Sequence, residues 1–421
     1  MNLPVAWKRL AATLALTGLA AGCASTSSSE APSGPVTVNV WVMGDGVWKD
    51  FYSRLANRFH TENPDIQVQI DFIPWDQGHE KLITAAASGS GPDVATDGGR
   101  WTAELAAMGA LEPLDRYLTP AYRNDFVEAA WETTQWNGHT WGIPQGFTTT
   151  GLFYRTDWLR AIGCEHPPQN WQEFKDVAKK MTQHHHFGFS LVGDNSMETT
   201  MCWVPFLWQN GGDLLTPDRQ HAAFNSEAGV QALQFYVDLY RKDHAVPASA
   251  LSTKRNDSHQ MFLHDIAGMT ATGPWFFSEI KREQPDLKYA VAPHPVGKQA
   301  ATLATTDHIV MLKTAARKQA AWKWIDYVTN PENSQAWSKT AGFIPYRKSG
   351  LHDPNFTRDP NYQVLISATQ NARAYPTLPE WPQIDNLLSD AIQTALAGKR
   401  TPKEALDDAA QEVDEILADS N

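Results

Sequence analysis

The 421-residue chain is long enough for two or three lobes with sizeable cores, and its 35 basic against 47 acidic side chains give a formal charge of −12. That balance excludes nucleic-acid and polyanion binding as a main role, because both need clustered Lys and Arg. The 17 Trp exceed what core filling demands, since Leu or Phe supplies bulk without an N–H to satisfy, and they point to surfaces for flat, part-apolar ligands.

Lys8-Arg9 precede an apolar run, Leu10–Ala21, of 12 residues, short of the ~20 that a spanning helix needs. The run ends in Leu19-Ala20-Ala21-Gly22-Cys23, which resembles a bacterial lipobox. The resemblance implies that residues 1–22 are a lipoprotein signal peptide and that Cys23 is lipidated; an ordinary secretory signal is the alternative. Residues 23–35, rich in Ser, Ala and Pro, read as a flexible tether. An exported protein is therefore expected, lipid-anchored to the cell membrane and facing periplasm or cell exterior, with no other membrane contact. Cys164 and Cys202 remain beyond the leader, and in an oxidising compartment a disulfide between them is open.

Val36–Met43 reads as a buried strand, broken by Gly44-Asp45-Gly46. Trp48–Asn63 carries apolar residues at helical spacing and stops at Asn63-Pro64. Ile66–Ile73 is a second strand, 76–88 a second helix, 93–96 a third strand and 100–109 a third helix. Strands alternating with helices predict a mainly parallel sheet covered on both faces. The Gly-, Trp- and Thr-rich segment 131–150 reads as extended and leads into a strand at 151–154. Helices follow at 156–162 and 171–182, the latter capped by Asn170, then a strand at 187–192 and helices at 199–209 and 226–242.

Gly268–Thr272 has the look of a buried strand end. Gly273-Pro274 stops it, and Phe276–Lys281 begins a helix. Trp275 is thereby displayed at a strand-to-helix corner, the place where open α/β sheets hold ligands. Taken alone, the stretch equally allows Trp275 to plug a core gap. Strands are expected at 289–293 and 308–312, then helices at 319–328, 331–340, 363–372, 383–397 and 402–418. His184-His185-His186 have no ligand-spaced Cys or carboxylate and are set aside as a metal site. Neither a metal nor a cofactor is expected.

Several ordered signals resemble one family, the extracellular solute-binding proteins of carbohydrate ABC importers, with the maltose binders as the nearest type. They are Trp41 to Asp45, Gly91-Pro92-Asp93, Gly142-Ile143-Pro144, Leu152 to Asp157, Thr270-Ala271-Thr272-Gly273-Pro274-Trp275, Ala321-Trp322-Lys323 and Gly342-Phe343-Ile344-Pro345. Where many members carry Gly-Gly before the returning strand, this chain has Thr306-Asp307. The resemblance implies an α/β periplasmic-binding-protein-like fold of two doubly wound lobes joined by a hinge of crossing segments (type II). Lobe 1 is expected over 36–144 plus 298–345, and lobe 2 over 145–297 plus 346–421. Ligand would sit between lobes that close around it. A monomer is expected, serving ABC permease transmembrane subunits with a separate ATPase, since the chain has no phosphate-binding Gly-x-x-x-x-Gly-Lys loop.

A neutral sugar offers apolar C–H faces that lie on indole and hydroxyls that pair with carboxylate, amide or guanidinium. Trp275 is the expected stacking residue and Asp45 a hydroxyl acceptor, although a turn-stabilising role for Asp45 is the alternative. Trp75 either faces the cleft or caps a sheet edge. Asp97, Arg100 and Trp101 follow the third strand, where the maltose binders place a polar and aromatic cluster. Thr148 and Thr150 alternate on the strand entering lobe 2, Trp208 and Trp381 are further aromatic candidates, and Asp307 is a second acceptor. The expected ligand is a neutral di- or oligosaccharide, with a maltose- or trehalose-like α-glucoside favoured. A secreted glycoside-processing enzyme, needing two carboxylates of opposed pKa, and a non-sugar solute are the alternatives; no enzyme activity is expected.

Overall fold

In the computed structural model, residues 35–44, 46 and 48–419 are described; the lipobox with Cys23, and Asp45, lie outside the described residues. Val38, Val40 and Val42 are buried on β1 (Val36–Met43) while Asn39 is exposed, because period-two side chains alternate between faces. β1 pairs in parallel with β2 (Ile66–Ile73) along its whole length, from Val36 opposite Ile66 to Met43 opposite Ile73. The helix Lys49–Glu62 makes the crossover between them and buries Phe51, Tyr52, Leu55 and Phe59. After the helix Trp75–Ser88, β3 (Val94–Gly98) adds in parallel to the other side of β1.

A small ribbon, β4 (Gln135–Trp136) with β5 (His139–Thr140), precedes β6 (Gly142–Thr149) and β7 (Gly151–Arg155). β8 (Met269–Thr272) and β9 (Tyr289–Ala292) flank β7, both antiparallel to it. β10 (Thr302–Met311) returns antiparallel to β3 and β6, and β11 (Ala372–Arg373) pairs with its start. Among the described residues the larger sheet therefore runs β11-β10-β3-β1-β2, with β6 on β10, and the smaller β8-β7-β9. The expected parallel pairing holds for β1 to β3 and for the short β11 on β10, whereas β3 and β6 meet β10 antiparallel. β10 arrives from the smaller sheet, so its direction is set by the long-range connection, which helix–strand alternation does not encode. Segment 187–192 forms no strand; it makes isolated bridges, Phe187 to Ala267 and Ser190 to Thr270. A Cβ at Gly188 would lie 2.0 Å from the Ala178 carbonyl oxygen, a contact that holds this stretch against a helix.

Among the described residues two large hydrophobic cores mark the lobes, with two smaller ones beside them. One collects Val38, Tyr52, Phe59, Ile309, Trp324 and Tyr346 beside the larger sheet. The other collects Leu152, Trp203, Tyr236, Ile392 and Leu406 around the helices Met197–Gln209, Glu227–Arg241, Trp381–Leu396 and Pro402–Asp419. Three segments cross. The chain passes from Phe147 on β6 to Leu152 on β7, returns along β10, which starts with Leu303 in the second core and ends with Ile309 and Met311 in the first, and leaves again between Tyr346 in the first and Trp381 in the second. Cys164 and Cys202 are free thiols, so the disulfide left open by the sequence is not formed.

Candidate functional site

A cavity of about 690 Å³ lies where the lobes face each other. Its walls are built at element ends, where backbone leaves a sheet and side chains are free to project. Trp275 is one such residue. It caps the helix Phe276–Glu283 directly after β8, and a Cβ at Gly273 would lie 2.3 Å from its ring. Only glycine lets the indole fold back over the strand end. The half-buried ring packs against three of the hydrophobic cores, which fixes its plane while one part lines the cavity. Its Nε1–H is buried without a hydrogen-bond partner among the described residues.

Trp75, Arg100 and Asp307 line the same cavity. Trp75, the first residue of its helix, leans on the buried Trp101 at 5.7 Å between ring centroids. Asp307 sits mid-β10, at the register shift opposite β6. Burial pushes its carboxyl up to about 7, against the lowering influence of Arg255 and Arg100, while Glu198 raises it further. The floor beneath is tight. Gly99 donates its N–H to the Thr306 carbonyl at 2.8 Å, and a Cβ on it would meet Thr306 Oγ1 at 2.2 Å.

A line of alternating charge runs along one wall. Arg100 Nη1 lies 3.4 Å from Asp385 Oδ2, Arg100 Nη2 4.0 Å from Glu198 Oε1, and Arg255 Nη1 3.1 Å from the same Glu198 oxygen. Arg255 also lies 5.7 Å from the Trp275 ring centroid and Arg100 5.4 Å from that of Tyr375. Local structure sets these positions. Ser196 Oγ caps the helix carrying Glu198, accepting from the Glu198 N–H at 3.3 Å. Asp257 accepts from the Lys254 N–H at 3.0 Å, fixing the turn that presents Arg255. Burial raises the Asp385 carboxyl to about 6 despite the opposing pull of Arg100.

Six of the sequence candidates stand behind the walls. Asp97 is buried, accepts from Thr102 Oγ1 at 2.8 Å, and is held well above the usual carboxylate range by burial. Trp101 supports Trp75 and Gly98 from beneath. Thr148 donates to the Thr149 carbonyl, and Thr150 shares its hydroxyl with His294 and Thr302, all out of solvent. Trp208 is buried, with Arg373 4.9 Å from its ring, and lines a second cavity of about 940 Å³ across the segment 374–377. Trp381 is fully buried and stacks at 4.9 Å under Tyr375, which is the residue of that region that lines the site.

Arg255, Glu198, Tyr375 and the Trp48–Trp337 pair, 5.2 Å apart, also belong to the cavity or its rim and were not picked out from sequence. Tyr375 lies shortly before Trp381, the aromatic candidate that the sequence offers in this region. Glu198 and Arg255 carry no sequence signal beyond their places in the first turns of helices. The histidines at 184–186 lie far along the chain from these elements, and His186 Nδ1 pairs with the Asp265 carbonyl at 2.6 Å. Among the described residues no group of His, Cys, Asp and Glu is placed to hold a metal ion, and no helix is long and apolar enough to cross a membrane.

Comparison with known proteins places this geometry. The model of the bacterial extracellular solute-binding protein family matches residues 45–335. A protein of Brucella abortus described as a binding protein is 29% identical over 407 residues, 95% of this chain and 98% of that one. A solute-binding protein of an ABC transporter from Thermotoga lettingae, solved with α-D-tagatose, superposes with a TM-score of 0.86 at 29% identity, covering 91% of this chain and 100% of that one. Maltose-bound MalE3 of T. maritima gives 0.85 at 26% identity, covering 90% and 100%.

Proposed function

Because the chain belongs to the bacterial extracellular solute-binding protein family, a family of exported binding proteins and not enzymes, we propose that it captures a neutral di- or oligosaccharide between its two lobes. A maltose- or trehalose-like α-glucoside is the favoured ligand. The observation that carries this is the pairing, in one cavity, of the Trp275 indole with the Asp307 carboxylate, which makes no hydrogen bond to the described residues. A pyranose lays its C–H face on the first and donates hydroxyls to the second. Trp75 and Tyr375 add aromatic surface and Arg100 a polar contact; Asp45 is kept as a hydroxyl acceptor on the sequence resemblance alone, and the maltose-bound neighbour supports the same class of ligand.

Closure then presents the complex to the transmembrane subunits of an ABC importer whose ATPase is a separate chain. Cys23 anchors the monomer by lipid at the membrane surface. The lobes in this reading are 36–144 with 298–345 and 145–297 with 346–421; the two cores support the division, while Phe147 and Tyr346 in the first and Leu303 in the second put each crossing a little further along the chain. Arginines alone would favour a phosphorylated solute, but Arg100 and Arg255 are already engaged by Glu198 and Asp385.

A thermal-shift panel of mono- to tetrasaccharides tests the proposal, because a ligand that binds the folded state raises Tm by mass action. A rise with at least one neutral oligosaccharide and no release of monosaccharide is the expected result. Turnover of the sugar, or shifts confined to charged solutes, would defeat it.

A further inference from the structure

Two guanidiniums in one cleft would ordinarily hold a phosphate or carboxylate on the ligand. Here neither is free. Arg255 Nη1 donates to both oxygens of Glu198, at 3.1 and 3.2 Å. The same Glu198 lies 4.0 Å from Arg100, whose other nitrogen reaches Asp385 at 3.4 Å. Among the described residues Glu198 is thus the one carboxylate within 4.0 Å of both cations, and with its side chain 18% exposed it is little screened by water. Asp307 lines the same cavity as a further acidic group.

We infer that Glu198 is a specificity-determining residue: by occupying Arg100 and Arg255 together, it makes the cleft reject phosphorylated and acidic sugars while leaving their neutral parents bound. This rests on the carbohydrate function proposed above. Discrimination of this kind comes from a built-in repulsive element, not from an extra attraction to the preferred ligand. An incoming anion must displace Glu198 from two partners and then sit beside it. A neutral hydroxyl needs only an N–H or lone pair left over from the ion pairs. Glu198→Gln keeps the shape and one acceptor oxygen, removes the charge, and frees Arg255 and the Nη2 side of Arg100, whose Nη1 stays on Asp385, for an anionic group.

The test is calorimetry on the full chain as wild type, Glu198→Gln and Glu198→Ala. Each is titrated with the neutral sugar giving the largest thermal shift and with glucose 6-phosphate and glucuronate as anionic probes. Wild type should bind the neutral sugar and show no heat with either probe. Both variants should gain roughly 10- to 100-fold in affinity for the probes, the range expected for hydrogen bonds to a charged group, and the gain should fall as salt is raised. Probe affinities unchanged in the variants would overturn the assignment. So would a wild type that binds glucose 6-phosphate as tightly as the neutral sugar, an outcome that needs no variant to fold. A wild type without heat for any neutral sugar would instead sink the carbohydrate function, and that failure is read in a different arm.

Discussion

Arg100, just past β3 of one lobe, holds its Nη1 3.4 Å from Asp385 on a helix of the other lobe. The Asp385 side chain is 2% exposed, so the pair bridges the cleft out of water. Its second oxygen has no hydrogen-bond partner among the described residues, which makes Arg100 its main compensation. Arg100→Ala should therefore destabilise the protein by about 1–2 kcal/mol near neutral pH and by more above it, because a carboxyl already raised to about 6 beside Arg100 takes up a proton once the cation is gone. The loss should shrink below pH 6, where the carboxyl escapes by protonation, and Asp385→Asn in the same chain should recover most of it. Urea unfolding at two pH values measures both effects. A loss under about 1 kcal/mol at neutral pH, the value of an exposed pair, would refute this account.

Trp275 and Trp381 are expected to part company on truncation. Trp381 is fully buried under Tyr375, and Trp381→Ala should cost about 3–5 kcal/mol of stability. Trp275→Ala, at a half-buried corner, should keep the fold and abolish most of the sugar-induced rise in Tm. Circular dichroism melts with and without sugar separate the two behaviours.

The ligand-free protein should respond to pH through Asp307. Its carboxyl is raised to about 7, above the value of 3.8 that it returns to on unfolding. The folded state therefore binds the extra proton between those values, so this contribution is full below about pH 4 and is lost as pH rises through 7. The loss amounts to roughly 2–4 kcal/mol. His294 and His308, lowered by burial to about 4 and about 3, work the other way as pH falls below 6.5. The difference between wild type and Asp307→Asn isolates the carboxyl: the variant should gain on wild type from pH 5 to pH 8. Parallel stability curves would contradict the assignment.

Cys164 and Cys202 are both free, and burial holds the Cys202 thiol well up. In a Cys23→Ser chain, thiol titration in denaturant should find both groups. Under native conditions Cys202 should react far more slowly, and reductant should leave Tm unchanged. A fall of several degrees with reductant would reveal a bridge.

Period and breakers were enough to outline most elements. β1 and β2 follow from alternation, and the helix Lys49–Glu62 ends at Asn63-Pro64 as its residues dictate. The corner at Trp275 was legible because Gly273-Pro274 leaves the backbone few choices. Depth was not legible. Trp381 reads as a stronger aromatic than Tyr375, yet the indole is covered and the phenol lines the cleft, because the helix that begins at Trp381 turns its first residue into the core. Thr148 lies on β6 but Thr150 falls between β6 and β7, not on the one strand expected, and His294 and Thr302 close over it from distant parts of the chain. Glu198 and Arg255 gain meaning only from each other, and 57 residues separate them.

The contact between Gly99 and Thr306 bears on how such a cleft could be re-tooled. With the Thr306 hydroxyl 2.2 Å from where any methyl on residue 99 would sit, the two positions share one parcel of space. Randomising position 99 alone should return glycine from every folded clone. Randomising 99 and 306 together with 308, whose ring stands 2.9 Å from the same point, should return compensating sets, in which bulk moves from β10 to the turn after β3 and the depth of the ligand bed changes with it.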